Sequence, residues 1–209
     1  MNAQPLADFL AIAARLFCGA TLRAPEEDAP FENGQRVYVP NHSSHLDFVV
    51  LWSALPRHLR RVTRPVAARD YWHKTALRRF LSVHVYRAIL IEREHVSAHA
   101  NPIDQIAQEM GDDSLILFPE GTRGDGEEVG AFKSGVYHLA QRKPHLQYVP
   151  VYIENLNRVL PKGEILPLPL LSSITLGAPL QLKEGESKAE FLARLRAAVV
   201  ALKEKEQSQ

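Results

Sequence analysis

Two histidines and an aspartate crowd into the stretch Pro40-Asn41-His42-Ser43-Ser44-His45-Leu46-Asp47. An imidazole whose Nδ1 proton is held by a carboxylate presents its other nitrogen as a base. His42 and Asp47 are therefore candidates for accepting a proton from a hydroxyl. Positions five apart on a regular helix point about 140° apart, so the two can pair only if His42 lies in a loop that folds back onto a helix carrying Asp47. Pro40 stops the apolar run Val37-Tyr38-Val39, and Ser44, three residues ahead of Asp47, matches a helix start capped by Ser44. Two plainer readings compete. Asp47 would serve only as a capping carboxylate, or His42 and His45 would bind a metal. A zinc site needs three or four ligands, and the other close pair, His95 and His99, does not complete one, so no metal is expected.

The second chemically loaded stretch is Leu115-Ile116-Leu117-Phe118-Pro119-Glu120-Gly121-Thr122-Arg123-Gly124. An apolar strand breaks at Pro119 and delivers Glu120, Gly121, Thr122 and Arg123 into a turn. Open α/β sheets bind ligands beyond the carboxyl ends of their strands. Gly121 lets backbone amides approach a ligand, Arg123 can grip a phosphate through two parallel hydrogen bonds, and Glu120 can accept from substrate hydroxyls. A surface turn with ordinary charges is the plain alternative, and the similar design at residues 41–47 weighs against it.

Both stretches need strands that end at a common edge. Short β-like runs at Arg36 to Val39, Thr63 to Ala68, Val83 to Ile91, Ser114 to Phe118, Gln147 to Ile153 and Ser173 to Leu176 alternate with helical patterns. The alternation predicts an α/β fold: a layered single domain with a mixed, mainly parallel central sheet flanked by helices. Asn101-Pro102 opens a helix that Gly111 ends. Ser187 and Glu190 form a capping box ahead of Phe191, Leu195, Val199 and Leu202 at helical spacing. Pro161 to Leu171 reads as an irregular apolar loop. The division is residues 1–34, an amphipathic helix and loop, and residues 35–209, the domain.

Composition narrows the class. The chain has 209 residues, 45% of them hydrophobic, and a formal net charge of +1. No run reaches the roughly 18 to 20 apolar residues that span a bilayer, and no secretory leader is recognisable, so a cytoplasmic or peripheral protein is expected. Cys18 is the single cysteine, and its small neighbours suit a buried filler. Residues 57 to 79 hold Arg57, Arg60, Arg61, Arg64, Arg69, Lys74, Arg78 and Arg79 against Asp70 alone, which implies either an anion-facing surface or a solvated helix face. Nucleic acid is not expected, since Tyr71 and Trp72 are the only aromatics there and no nucleic-acid motif accompanies them. Leu6 to Leu22 carries only Asp8 and Arg15 as charges; docking on the core and contact with a membrane interface are both open.

Together these blocks resemble the glycerolipid acyltransferase family, which includes glycerol-3-phosphate and 1-acylglycerol-3-phosphate acyltransferases. "NHSSHLD" fits its histidine, four residues, aspartate signature, "ILIER" (89–93) its apolar strand ending in acid-arginine, and "FPEGTR" (118–123) its third motif. "VPVYI" (149–153) fits the fourth, with "FKSG" (132–135) and "LGAP" (176–179) in support. Glu92 stands where the second motif usually has aspartate. The resemblance implies that His42 deprotonates an acceptor hydroxyl, that Asp47 orients it, and that Arg93, Glu120, Gly121, Thr122 and Arg123 hold the acceptor. It implies an acyl thioester donor, either acyl-CoA or acyl carrier protein, with no cofactor. The acceptor would be glycerophospholipid-like, above all 1-acylglycerol-3-phosphate, in phospholipid synthesis at the inner face of the membrane. Transfer to another lyso-lipid or alcohol, and a non-catalytic lipid- or thioester-binding module, are the alternatives.

Overall fold

Strands buried on both faces organise the chain. In the computed structural model, which describes residues 3–24, 34–44, 46–92, 101–154 and 172–207, every residue of β2 (Arg36–Pro40) is buried. So are all of β5 (Ser114–Ile116) and nearly all of β6 (Gln147–Ile153). With β1 (Thr21–Arg23), β3 (Thr63–Ala68), β4 (Ile89–Ile91) and β7 (Ser173–Leu176) they form a seven-stranded sheet in the order β1-β7-β6-β2-β5-β3-β4. All neighbours run parallel except β6 and β7, the arrangement expected of a sheet covered on both faces.

Alternation along each strand divides the core in two. Tyr38, Ile116, Val149 and Val151 point to a layer made by α1 (Gln4–Cys18) and α2 (Asp47–Ala54), where they meet Ala7, Ala11, Cys18, Leu51 and Trp52. Val37, Val39, Leu115 and Tyr148 point the other way. There they meet α6 (Pro102–Glu109), α7 (Gly135–Arg142) and α8 (Lys188–Gln207), the last through Phe191, Leu195, Val199 and Leu202. The capping box at α8 is complete: Ser187 N donates to Glu190 Oε2 at 2.9 Å, and Glu190 N to Ser187 Oγ at 3.3 Å. Asn101 Oδ1 likewise accepts from Ile103 N at the start of α6. The fold is thus the layered, mainly parallel α/β domain expected.

Local departures have physical causes. Of the run Val83 to Ile91 only β4 is strand; Leu81–Val85 is a π-helical turn that follows α5 (Ala76–Phe80) and carries Val85 into the core beneath α2. Arg87, at φ 53°, redirects the chain. It is held there by Arg87 Nη1 donating to Arg61 O and Nη2 to Asp113, both at 2.7 Å. Residues 21 and 22, expected in the first helix, pair instead with β7, because Gly19 in the left-handed region ends α1 at Cys18. Helix α7 lies in a stretch where no helix was expected. The loop Pro161 to Leu171 and the pair His95 and His99 lie outside the described residues.

Of the two open readings of helix α1, docking on the core is the one the structure bears out. Ala7, Ala11 and Cys18 dock on the core, whereas Phe9, Ile12 and Leu16 face outward at 65%, 60% and 79% exposure. A charged clamp fixes which face is which. Asp8 accepts from Arg57 Nη2 at 2.6 Å and from Arg60 Nη2 at 2.7 Å, both on α3 (Arg57–Arg61). These two hydrogen bonds hold the Asp8 carboxyl at about 2, below its ordinary 3.8. A depressed carboxyl stabilises the fold fully above its unfolded value, and that contribution disappears as pH falls through the folded one. Asp8→Asn should therefore lower the melting temperature at neutral pH, and the gap to wild type should close between pH 3.8 and about 2. Thermal unfolding of both proteins across that range checks this; a gap that persists at the acid end would show that the clamp does not act through the charge.

Candidate active site

The site is built where the chain leaves β2. Asn41 closes the strand by pairing with the end of β6: its Nδ2 donates to Ile153 O at 3.0 Å and its Oδ1 accepts from Ile153 N at 2.7 Å. With that exit fixed, residues 42–44 turn back over Asp47, which is wholly buried. Asp47 Oδ2 sits 2.8 Å from His42 Nδ1 and accepts from Ser43 N at 2.7 Å and Ser44 N at 2.9 Å. A carboxylate can only accept, so in the neutral imidazole Nδ1 carries the proton and Nε2 holds the free lone pair. His42 therefore does fold back from a loop onto Asp47.

The helix start differs from expectation. Helix α2 begins at Asp47, its N-cap position is Leu46, and no side chain caps it. Ser44 Oγ instead accepts from Leu46 N at 3.3 Å, within the turn. The carboxylate gathers loop amides toward itself; the serine does not close the helix. Asp47 is thus the hub of the loop, and its second oxygen, Oδ1, is buried without a hydrogen-bond partner among the described residues.

A second loop, from Phe118 to Gly124 beyond β5, grips His42 from the other side. The Phe118 ring lies 4.2 Å from the imidazole, centroid to centroid. Glu120 Oε1 accepts from His42 N at 2.8 Å, and Gly124 N donates to His42 O at 2.8 Å. Ring, N–H and carbonyl of one residue are all held by one loop. Glu120 is only 7% exposed, and its other oxygen, Oε2, accepts from Gly130 N at 3.0 Å. Burial pushes the Glu120 carboxyl up, while the two amides pull it down. Both oxygens are thus engaged by the backbone, the geometry of a brace under the histidine.

The remaining candidates fall into place around this brace. Gly121 has φ 70°, a conformation that glycine tolerates and L side chains resist, and a Cβ there would meet Lys133 Nζ at 2.7 Å. The Lys133 chain thus lies across the turn and sets its ammonium beside it, while Lys133 N donates to Pro119 O at 2.8 Å. Arg123 is half-buried and, among the described residues, makes no hydrogen bond or ion pair; Thr122 is exposed. Arg93 and His45 lie outside the described residues. Among the described residues no group of three or more His, Cys, Asp or Glu could hold a metal. Lys133 and Gly130 were not singled out from the sequence as site residues. The signal for Lys133 was the short FKSG block, whereas nothing linear marks Gly130, whose missing side chain leaves room for Glu120: a Cβ would sit 2.5 Å from Oε2.

A family model described as Acyltransferase matches residues 22–154. The chain belongs to the acyltransferase family. It is 25% identical over 166 residues to a 1-acyl-sn-glycerol-3-phosphate acyltransferase of Cocos nucifera, covering 78% of this chain and 51% of that protein. To the alpha form of Ovis aries it is 32% identical over 107 residues, 50% of this chain and 35% of the relative. The chain therefore spans about half the length, or less, of these curated relatives. The crystal structure of the 1-acyl-sn-glycerophosphate acyltransferase PlsC from Thermotoga maritima superposes with a TM-score of 0.75 at 15% identity, covering 99% of this chain and 81% of that one. The acyltransferase chain therefore shares that protein's fold.

Glu120→Gln tests the brace. A glutamine must turn its NH₂ toward either His42 N or Gly130 N, donor against donor, so one hydrogen bond to a charged acceptor is lost. Such bonds are worth about 1.5 to 3 kcal/mol, and we expect kcat to fall about ten-fold or more with the acceptor KM little changed. A rise in acceptor KM at constant kcat would instead make Glu120 a substrate ligand.

Proposed function

We propose that this chain catalyses O-acyl transfer from a thioester donor, acyl-CoA or acyl carrier protein, to the hydroxyl of a phosphate-bearing lyso-lipid, 1-acylglycerol-3-phosphate foremost. The observation that carries the reading is the 2.8 Å contact between His42 Nδ1 and the buried Asp47 carboxylate. Binding alone needs no such pair, which argues against a non-catalytic lipid module. His42 Nε2 takes the acceptor's proton as its oxygen attacks the thioester carbonyl. The tetrahedral adduct then collapses, the C–S bond breaks, the new ester remains, and the thiolate recovers the proton from the imidazolium. Atoms and charge balance with no cofactor, metal or acyl-enzyme.

The acceptor's phosphate has a cation waiting. A half-buried guanidinium with no anionic partner among the described residues, such as that of Arg123, is costly to keep unless a ligand supplies the charge. Lys133 adds a second cation beside Gly121. Arg93 and Thr122 complete the reading by resemblance alone. The outer face of α1, with Phe9, Ile12 and Leu16 exposed, supports peripheral contact with the cytoplasmic leaflet, where both donor types are met. Among the described residues no helix is long and apolar enough to cross a membrane.

The deciding experiment offers both donors to the purified protein with glycerol phosphate, lysophosphatidate and neutral lyso-lipids, and measures thiol release together with lipid product. His42→Ala should lose about 10² to 10⁴ in kcat with an unchanged circular dichroism spectrum. Asp47→Asn keeps an oxygen for the three donors while removing the charge, so it should fold and still turn over poorly. Near-normal turnover of the His42 variant at saturating substrate would sink the base assignment. Arg123→Ala should raise KM for phosphorylated acceptors by about ten-fold or more and leave neutral acceptors unaffected; equal losses with both would remove Arg123 from the phosphate site.

A further inference from the structure

Most arginines of the basic stretch that begins at Arg57 have an acidic partner in the fold, though six cations share three carboxylates. Arg57, Arg60 and Arg61 reach Asp8, Arg64 and Arg87 share Asp113, and Arg69 meets Glu92. Three cations of the stretch are left without an acidic partner among the described residues: Lys74, Arg78 and Arg79, with Arg78 resting over the Tyr71 ring at 4.5 Å. The same short segment exposes Leu77 at 67%, Phe80 at 39% and Val83 at 45%. These side chains recur every third residue along α5 and the π-helical turn, while Ser82 and Val85 of that turn are buried. Large apolar side chains turned to solvent and bordered by cations that no acid balances are the composition of a helix that lies in a lipid interface.

The segment's position supplies a second argument. It leaves the sheet through α4 (Arg69–Trp72) at the carboxyl end of β3, the strand next to β5 with its Phe118–Gly124 loop. Phe48, the residue after Asp47, packs edge-on against Trp72 at 5.4 Å and Tyr86 at 5.1 Å. Trp72 precedes the segment and Tyr86 follows it. Both of its ends are thereby fixed to the first turn of α2, beside the His42 loop.

We propose that residues 74–84 are a lipid-docking element: Leu77, Phe80 and Val83 enter the acyl boundary of an anionic leaflet while Lys74, Arg78 and Arg79 lie at its headgroups, seating the site's mouth at the membrane. The partner is a negatively charged lipid surface. The benefit to catalysis rests on the lipid-acceptor reading above, but the contact itself does not, and the two are measured separately. This element is distinct from the outer face of α1, because its cations make the contact selective for anionic lipid.

The test uses the full chain and vesicles of phosphatidylcholine with or without phosphatidylglycerol. Leu77→Ser/Phe80→Ser should weaken co-sedimentation with anionic vesicles about ten-fold. Lys74→Glu/Arg79→Glu should abolish the preference for anionic over neutral vesicles, and added salt should do the same to wild type. Both variants should keep wild-type turnover on short-chain substrates that stay monomeric in water. Phe80→Trp gives a gain of signal that does not depend on a loss of binding: its added emission should be quenched by brominated lipid. Added emission that stays unquenched when the Phe80→Trp protein is vesicle-bound overturns the proposal. So does wild-type vesicle binding by the serine variant, or light scattering in which that variant dissociates a dimer without affecting vesicle binding. Absence of acyl transfer to monomeric substrates by wild type would defeat the catalytic reading and leave the quenching result standing.

Discussion

A carboxylate with no exposure to solvent has to be supplied with donors by its own chain, and this requirement at Asp47 shapes everything around it. Removing an ion from water costs several kcal/mol unless hydrogen bonds replace hydration. Here the replacements are His42 Nδ1–H and the amides of Ser43 and Ser44. The donors that stabilise the buried charge therefore include the one that orients the His42 ring. A loop that opened would strand the carboxylate, so the conformation that pairs His42 with Asp47 is also the one that solvates Asp47. No separate device is needed to hold the imidazole in its tautomer.

The same logic extends outward through Glu120. This second buried carboxylate takes its hydrogen bonds from His42 N and from Gly130 N, so the loop beyond β5 is locked to the loop beyond β2. Parallel pairing of β2 with β5 places both exits at one edge of the sheet. Asn41, bonded to both polar groups of Ile153, ties that edge to β6. Three adjacent strands thus hold one histidine through short polar links, which suits preorganisation of a base.

How much of this was legible in the sequence depends on the distance over which each interaction acts. The His42–Asp47 pair was readable because five residues of spacing and a helix start leave few other geometries. The helix cap departs from the serine pattern for a related reason: in a short turn, serine and aspartate compete for the same amides, and only the packed loop shows that Asp47 wins two of them. A substrate-facing role was expected of Glu120, and the structure shows its oxygens bonded to amides 78 positions back and 10 positions ahead, contacts that no local pattern encodes. The run Val83 to Ile91 has the β-branched content of a strand, but burial of Val85 and Tyr86 in the core favours a helical turn over its first three residues. Tertiary packing there overrides propensity.

Charge pairing shows most clearly why composition alone misplaces a functional surface. Arg57, Arg60, Arg64 and Arg69 looked like a basic face in the sequence because their acids lie elsewhere in the chain: Asp8, Asp113 and Glu92. Folding brings an acid to each of these arginines and fixes their direction, even though Asp8 serves three cations and Asp113 two. The cations with no acidic partner among the described residues in and around the site are Arg123 and Lys133 near the His42 loop, with Lys74, Arg78 and Arg79 beyond the aromatic packing of Phe48 on Trp72. An unpaired exposed cation costs the fold little, whereas a half-buried one such as Arg123 is retained against a desolvation penalty. On the proposed function the two sets suit different anions: a discrete phosphate beside Arg123, and a diffuse, salt-screened surface under the exposed Lys74 and Arg79, with Arg78 half-buried against Tyr71.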